Sequence, residues 1–211
     1  MKGRAMSRPK ATVQQKPTRK TKSKSGEDVS SSARRSLIMQ EAAHLFGTRG
    51  FDATTIRDIA AAAGILGGSI YYHFGSKDDI FLAVHSAGME FITTAVLAAI
   101  AEHEDPWDQL EAAAIAHANA LLASGDLPVI VSPFFSDSLA SLRGELVAQR
   151  DHYDKIIASI IDKLDLPPEI DRRIFRLHFL GALNWLPTWY RPNSGMTATE
   201  IGRQLVVMLR R

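Results

Sequence analysis

The chain has 211 residues, 45% of them hydrophobic, with 25 Lys/Arg against 23 Asp/Glu and no cysteine. That length suits one domain or two small ones, the apolar share supports a packed core, and the lack of cysteine excludes disulfides and thiolate zinc sites. Charge is unevenly placed: nine basic residues and no acid fall within residues 1–26, which leaves an acidic body of 16 basic and 23 acidic residues.

Residues 1–31 read as a disordered basic arm, with Pro9 and Pro17 among Lys, Ser, Thr and Gln. Such an arm either follows nucleic-acid phosphates or is simply a solvated tail, and composition leaves both open. No apolar leader segment follows it, and the longest nearly uncharged apolar run, Phe91 to Ala101, is too short to cross a bilayer. A cytoplasmic protein without a membrane partner is expected.

The remaining chain reads as all-α, with apolar residues at three- and four-residue spacing and Pro, Gly and Asp between the runs. A first helix is expected from about Ser32 to Arg49, with Ile38, Ala42, Leu45 and Phe46 on one face and Gly50 as a stop. A second starts at Thr55, which has capping-box spacing to Asp58, and buries Ile56, Ile59, Ala60 and Ala63 before Gly64. A third lies within "GILGGSIYYHFGSKDDI" (64–80), and Ser76 with Asp79 launches a long helix to about His103. Asp105 and Pro106 open the next, which fades by Gly125. Leu127 to Phe135 is broken by Pro128 and Pro133. Helices follow over about 138–164 and 168–190, the second kinked or ended by Pro187, and a last one starts at Thr197 with Glu200 at capping spacing. The expected division is residues 32–77 against 78–211.

Two short helices joined by a glycine turn have the pattern of a helix-turn-helix, whose second helix enters the major groove of DNA. On a helical wheel Ile70 and Phe74 point inward with Leu66 near them, while Gly68 and Tyr72 point outward, flanked by Ser69 and Tyr71. An outward face of small and aromatic residues suits close approach to a duplex, with serine at base edges and tyrosines on phosphates or thymine methyls. Each interior glycine costs about 1 kcal/mol of helix stability relative to alanine, so something other than helix formation favours them. Pattern alone leaves a structural helical hairpin equally open.

The run from Arg34 to Val84 closely resembles the DNA-binding region of tetracycline-repressor (TetR) family regulators. The shared marks are "AAHLFGTRGF", "TTIRDIA", the Ala-Gly pair ending at Gly64, then Gly68, Ile70-Tyr71, Phe74 and Ser76-Lys77. The resemblance implies an all-α homodimer with an N-terminal helix-turn-helix and a C-terminal ligand-binding and dimerisation domain. It implies Thr55 and Lys77 on phosphates, Arg57 as a base contact, and Gly67, Gly68, Ser69, Tyr71 and Tyr72 at the reading positions. His73 is either half-buried or on a phosphate. Leu66 and Gly67 depart from the polar pair usual there, which shortens the base-reading set.

By the same resemblance the last two helices pair with those of a second subunit; Ile170, Ile174, Leu177 and Gly181 lie at helical spacing, as do Ile201, Leu205 and Met208. The segment "GALNWLPTWYRP" (181–192) resembles family members that sense acyl-CoA thioesters or related lipid and steroid catabolites. For a small-molecule effector the candidates are Trp107, Phe134, Phe135, Tyr153, Trp185 and Trp189 as apolar walls, and Arg143, Arg150 and Asn184 for a polar or anionic head group. No nucleophile elbow, phosphate loop or zinc-binding histidine spacing occurs, so neither enzymatic activity nor a cofactor or metal is expected. The reading is a ligand-responsive repressor on a palindromic operator. Its rivals are an activator without a small ligand and a helical protein-interaction module that does not bind DNA.

Overall fold

The computed structural model describes residues 24–123, 137–192 and 195–210. Among them the regular structure is helical: α1 (Lys24–Arg49), α2 (Ile56–Ala62), α3 (Gly67–Ile70), α4 (Lys77–Ile100), α5 (Pro106–Ala123), α6 (Arg143–Ile161), α7 (Arg172–Asn184), α8 (Leu186–Trp189) and α9 (Ala198–Leu209), with a 3-10 turn over Asp137–Leu142.

Local sequence sets most helix ends. Thr55 and Asp58 close a reciprocal capping box on α2, and Thr197 and Glu200 do the same on α9. Ser76 accepts from the Asp79 amide at the start of α4, and Asp105 Oδ1 accepts from the amides of Trp107 and Asp108 at the start of α5. Gly50 (φ 83°) and Gly64 (φ 63°) stop α1 and α2 in the left-handed region that glycine adopts without strain.

Several boundaries differ from those expected. Helix α1 begins at Lys24, inside the stretch read as a disordered arm. The helix expected over 138–164 is a 3-10 turn followed by α6. The one expected over 168–190 is α7, which Asp171 caps, and then α8, with Pro187 in the first turn of α8. There the missing proline N–H leaves no ladder bond unmade.

Two hydrophobic cores form. The first joins α1, α2 and α3 to the start of α4, around Phe46, Ile59, Ile70 and Phe81, and the 3-10 turn and Leu146 of α6 cover it. Phe46, Phe51 and Phe81 lie 5.2–5.4 Å apart between ring centroids. The second joins the later part of α4 to α5, α6, α7 and α9, around Ile92, Leu110, Leu121, Ile157 and Phe179. Helices α4 and α6 run through both cores, so each is a rigid link between them.

At 24 residues α4 is long and apolar enough to cross a membrane by length and composition, which the shorter run Phe91–Ala101 did not suggest. Its buried residues instead divide between the two cores, Ile80 and Val84 in one and Ile92 and Val96 in the other. Helices α5 and α9 cross closely at Gly202, where an added Cβ would stand 2.8 Å from the Ile115 backbone.

Candidate functional site

Helices α2 and α3 present one outward face. Thr55, Ile56, Arg57, Gly67, Gly68 and Tyr71 line a shallow surface concavity between them. Ser69 is exposed beside it, and Tyr71 and Tyr72 are 60% and 93% exposed. Behind that face Ile70 and Phe74 are buried in the first core, as the wheel requires. A Cβ added at Gly67 or Gly68 would meet nothing within 4 Å. Packing within the chain therefore does not require either glycine.

Leu66 is not inward. It is 81% exposed, because it precedes α3 in an extended conformation (φ −70°, ψ 141°) to which the helical wheel does not apply. No side chain caps α3 there. Leu66, which sequence periodicity had assigned to the core, thus adds an exposed apolar group to the α2–α3 face. His73 is half-buried.

Lys77 makes contacts within the chain. Its Nζ donates to the carbonyl oxygens of Phe51 (2.8 Å) and Thr54 (3.0 Å) and sits 4.0 Å from the centroid of the Phe51 ring. The ammonium staples the start of α4 to the turn before α2. Thr55 is similarly engaged: its hydroxyl donates to Asp58 Oδ2 at 2.6 Å and accepts from the Asp58 amide. The Thr55 hydroxyl and the Thr55 backbone amide, both donating to Asp58 Oδ2, hold the Asp58 carboxyl below its usual range.

A cavity of about 500 Å³ opens between α4, α5, α6 and α7. Met89, Ile92, Leu177 and Leu180 supply apolar wall, Trp185 and Gly181 stand at the rim, and Arg150, Asp151 and Asp154 supply charge. Asp154 Oδ1 lies 3.0 Å from Arg176 Nε. Four of the expected residues, Arg150, Tyr153, Asn184 and Trp185, are brought together here.

At the inner wall His117 and Tyr153 are both buried, and His117 Nδ1 is 2.7 Å from the Tyr153 hydroxyl. Burial pulls the His117 pKa down to about 4, against a smaller upward effect of Asn184, and burial pushes the Tyr153 hydroxyl up. This wall is uncharged at neutral pH. Sequence reasoning missed His117: a single histidine among alanines has no motif, and only the fold sets it against Tyr153.

Other expected cavity residues lie elsewhere. Trp107 packs edge-on against Phe175 at 6.3 Å, with the Arg210 guanidinium over its ring, so it belongs to the second core. Arg143 is exposed at the start of α6 and lines no part of the cavity. Trp189 lines a separate hollow of about 340 Å³ with Leu183, Leu186, Met196 and Leu205. Phe134 and Phe135 fall outside the described residues.

A set of exposed apolar side chains lies on α7, its C-cap Trp185 and α9: Ile174, Leu177, Trp185, Val207 and Met208. Ile170, just before α7, belongs to it. Ile201 does not, because it is packed into the second core with α5.

Residues 38–84 match the family described as bacterial regulatory proteins, tetR family, and residues 103–211 match the tetracyclin repressor-like C-terminal domain. The chain is 26% identical over 187 residues to the HTH-type transcriptional repressor KstR2 of Mycobacterium tuberculosis (strain ATCC 25618 / H37Rv), covering 84% of this chain and 91% of that one. It is 28% identical over 179 residues to KstR2 of Rhodococcus jostii (strain RHA1), covering 82% and 87%. The structure of the ketosteroid transcriptional regulator KstR2 of Mycobacterium tuberculosis superposes with a TM-score of 0.70 at 25% identity, over 83% of this chain and 92% of that one.

Proposed function

Because the chain belongs to the tetR family of bacterial regulatory proteins, we propose that it is a ligand-responsive transcriptional repressor. It works in the cytoplasm, binds a palindromic operator as a homodimer, and is released by a small-molecule effector of acyl-CoA type. The observation that carries the DNA-reading part is the α2–α3 face, with two glycines that no internal packing requires beside exposed Leu66, Tyr71 and Tyr72. Gly67 and Gly68 let the backbone approach a groove, Arg57 and Ser69 reach base edges, and Tyr71, Tyr72 and Leu66 meet phosphates and thymine methyls. Thr55 contributes from the same concavity and His73 from its margin, while Lys77 acts by fixing the angle of α4.

The names of the repressor relatives support this direction of control. The exposed apolar side chains of α7 and α9 suit pairing with a second copy, which sets two reading helices about 34–36 Å apart on DNA. The effector reading rests on an apolar cavity with Arg150 among its lining residues, placed to meet an anionic head group.

Coupling follows from α4. Met89 and Ile92 line the cavity, while Ile80 and Phe81 on the same helix hold the reading head. An occupant that displaces α4 therefore tilts the head, and a coupling of about 1–3 kcal/mol lowers operator affinity roughly 5- to 150-fold.

The test is retardation of DNA from upstream of the gene by the purified dimer, repeated with a panel of acyl-CoA thioesters. Sharp, salt-dependent binding that a panel member reverses supports the proposal. Absence of DNA binding would sink it, and binding that no small molecule reverses would leave a constitutive regulator.

A further inference from the structure

The turn that enters α3 puts a leucine on the surface and holds it there. Leu66 is 81% exposed, with its backbone extended rather than helical. The turn is tied on both sides: the Ile65 amide donates to the Ala60 carbonyl at 2.9 Å, and the Leu66 carbonyl accepts from the Ser69 amide at 2.8 Å. Leu66 is therefore fixed relative to Arg57 and Tyr71 on the same α2–α3 face.

Its neighbours leave it prominent. Gly67 and Gly68 have no side chains, and the space where a Cβ would stand is open at both. Of residues 66–69 only Leu66 and Ser69 carry a side chain beyond hydrogen, and none of the four is charged. Leucine is also a poor residue for this position in the free chain. A serine, threonine, aspartate or asparagine there can cap the helix through its side-chain oxygen, and leucine cannot.

We infer that Leu66 selects thymine: in each half-site of the operator its side chain packs on the C5-methyl of one thymine. The residues that open the reading helix of a helix-turn-helix are the ones that meet base edges. In the major groove the thymine methyl is the apolar group among those edges. Leucine offers neither donor nor acceptor, so against guanine, cytosine or adenine it leaves a polar edge without a hydrogen bond. Against thymine it covers hydrocarbon with hydrocarbon. This inference rests on reading the α2–α3 face as the DNA interface, and adds to it the base that Leu66 distinguishes.

The test replaces thymine by deoxyuridine, one position at a time and symmetrically in both half-sites, in an operator duplex located by footprinting upstream of the gene. Deoxyuridine keeps every hydrogen-bonding group of thymine and lacks only the methyl. Affinities of full-length wild type, Leu66→Ala, Leu66→Ser and Tyr71→Ala are measured by fluorescence anisotropy at matched salt. Leu66→Ser restores a capping side chain, so an effect shared by both Leu66 variants is not a lost helix start. For wild type one thymine position should stand out, with binding about fourfold weaker per half-site and roughly 15-fold weaker for the symmetric pair, as for one buried methyl-sized group each. Both Leu66 variants should be indifferent to the methyl at that position, while Tyr71→Ala still discriminates. Equal wild-type affinity for every substituted duplex would overturn the inference. So would a methyl effect that persists in both Leu66 variants, or one that only Tyr71→Ala abolishes. Wild-type binding to the unsubstituted operator is read in the same titrations, and its absence defeats the DNA-binding reading itself and this inference with it.

Discussion

Acidification should weaken the fold by an amount traceable to His117. This imidazole has a pKa near 4 in the folded protein against 6.5 for an unperturbed histidine, and burial is the main cause. Its folded value is depressed, so above about pH 6.5 both folded and unfolded chains hold it neutral and its contribution is fully present. As pH falls through 6.5 the unfolded chain takes a proton that the folded chain refuses. Stability is lost until the folded form also protonates near pH 4. The gap corresponds to roughly 3 kcal/mol over that whole window, and to about 2 kcal/mol between pH 7.5 and pH 5.

The assay is urea unfolding of wild type and His117→Gln at pH 7.5, 6 and 5, with protein concentration fixed because dimer stability depends on it. The variant cannot titrate at this position. Carboxylates and buried His85, whose pKa is also lowered, act equally in both proteins and cancel in the difference. The stability advantage of wild type should shrink by about 2 kcal/mol between pH 7.5 and pH 5. An advantage that stays constant over that range would refute the buried, neutral His117.

Three other substitutions test separate parts of the account. Gly68→Ala meets no atom of its own chain, so it should raise stability by about 0.5–1 kcal/mol in thermal unfolding while lowering operator affinity measured by fluorescence anisotropy. Lys77→Met removes two bonds to carbonyl oxygens and should destabilise by roughly 1–3 kcal/mol in urea; its operator affinity should fall with the salt slope unchanged, whereas loss of a direct phosphate contact would lower the slope by about one. Gly202→Ala forces a Cβ to within 2.8 Å of the Ile115 backbone and should destabilise by about 1–3 kcal/mol, read as a lower unfolding midpoint.

The fold was legible wherever it depends on neighbours in sequence. Thr55 with Asp58 and Thr197 with Glu200 announce their helices through bonds spanning three residues, and Ile38, Phe46, Ile59 and Ile70 mark inward faces by spacing alone. What distant chain segments decide was not legible. Lys77 finds its carbonyl partners 23 and 26 residues earlier, a pairing that no local pattern encodes. Trp107 and Trp185 look alike as aromatic residues on amphipathic helices, yet one packs on Phe175 and the other rims the cavity. Leu66 misled because periodicity was extended one residue beyond the helix it describes.

The reading face is the centre of the account, and affinity for upstream operator DNA, measured beside a scrambled duplex at two salt concentrations, tests it most directly. Tyr71→Ala and Arg57→Ala should each weaken operator binding by roughly tenfold or more, at about 1–3 kcal/mol per lost base contact, with scrambled-duplex affinity nearly unchanged for Tyr71→Ala. Equal operator affinity for both variants and wild type at matched salt would contradict a DNA-reading role for the α2–α3 face.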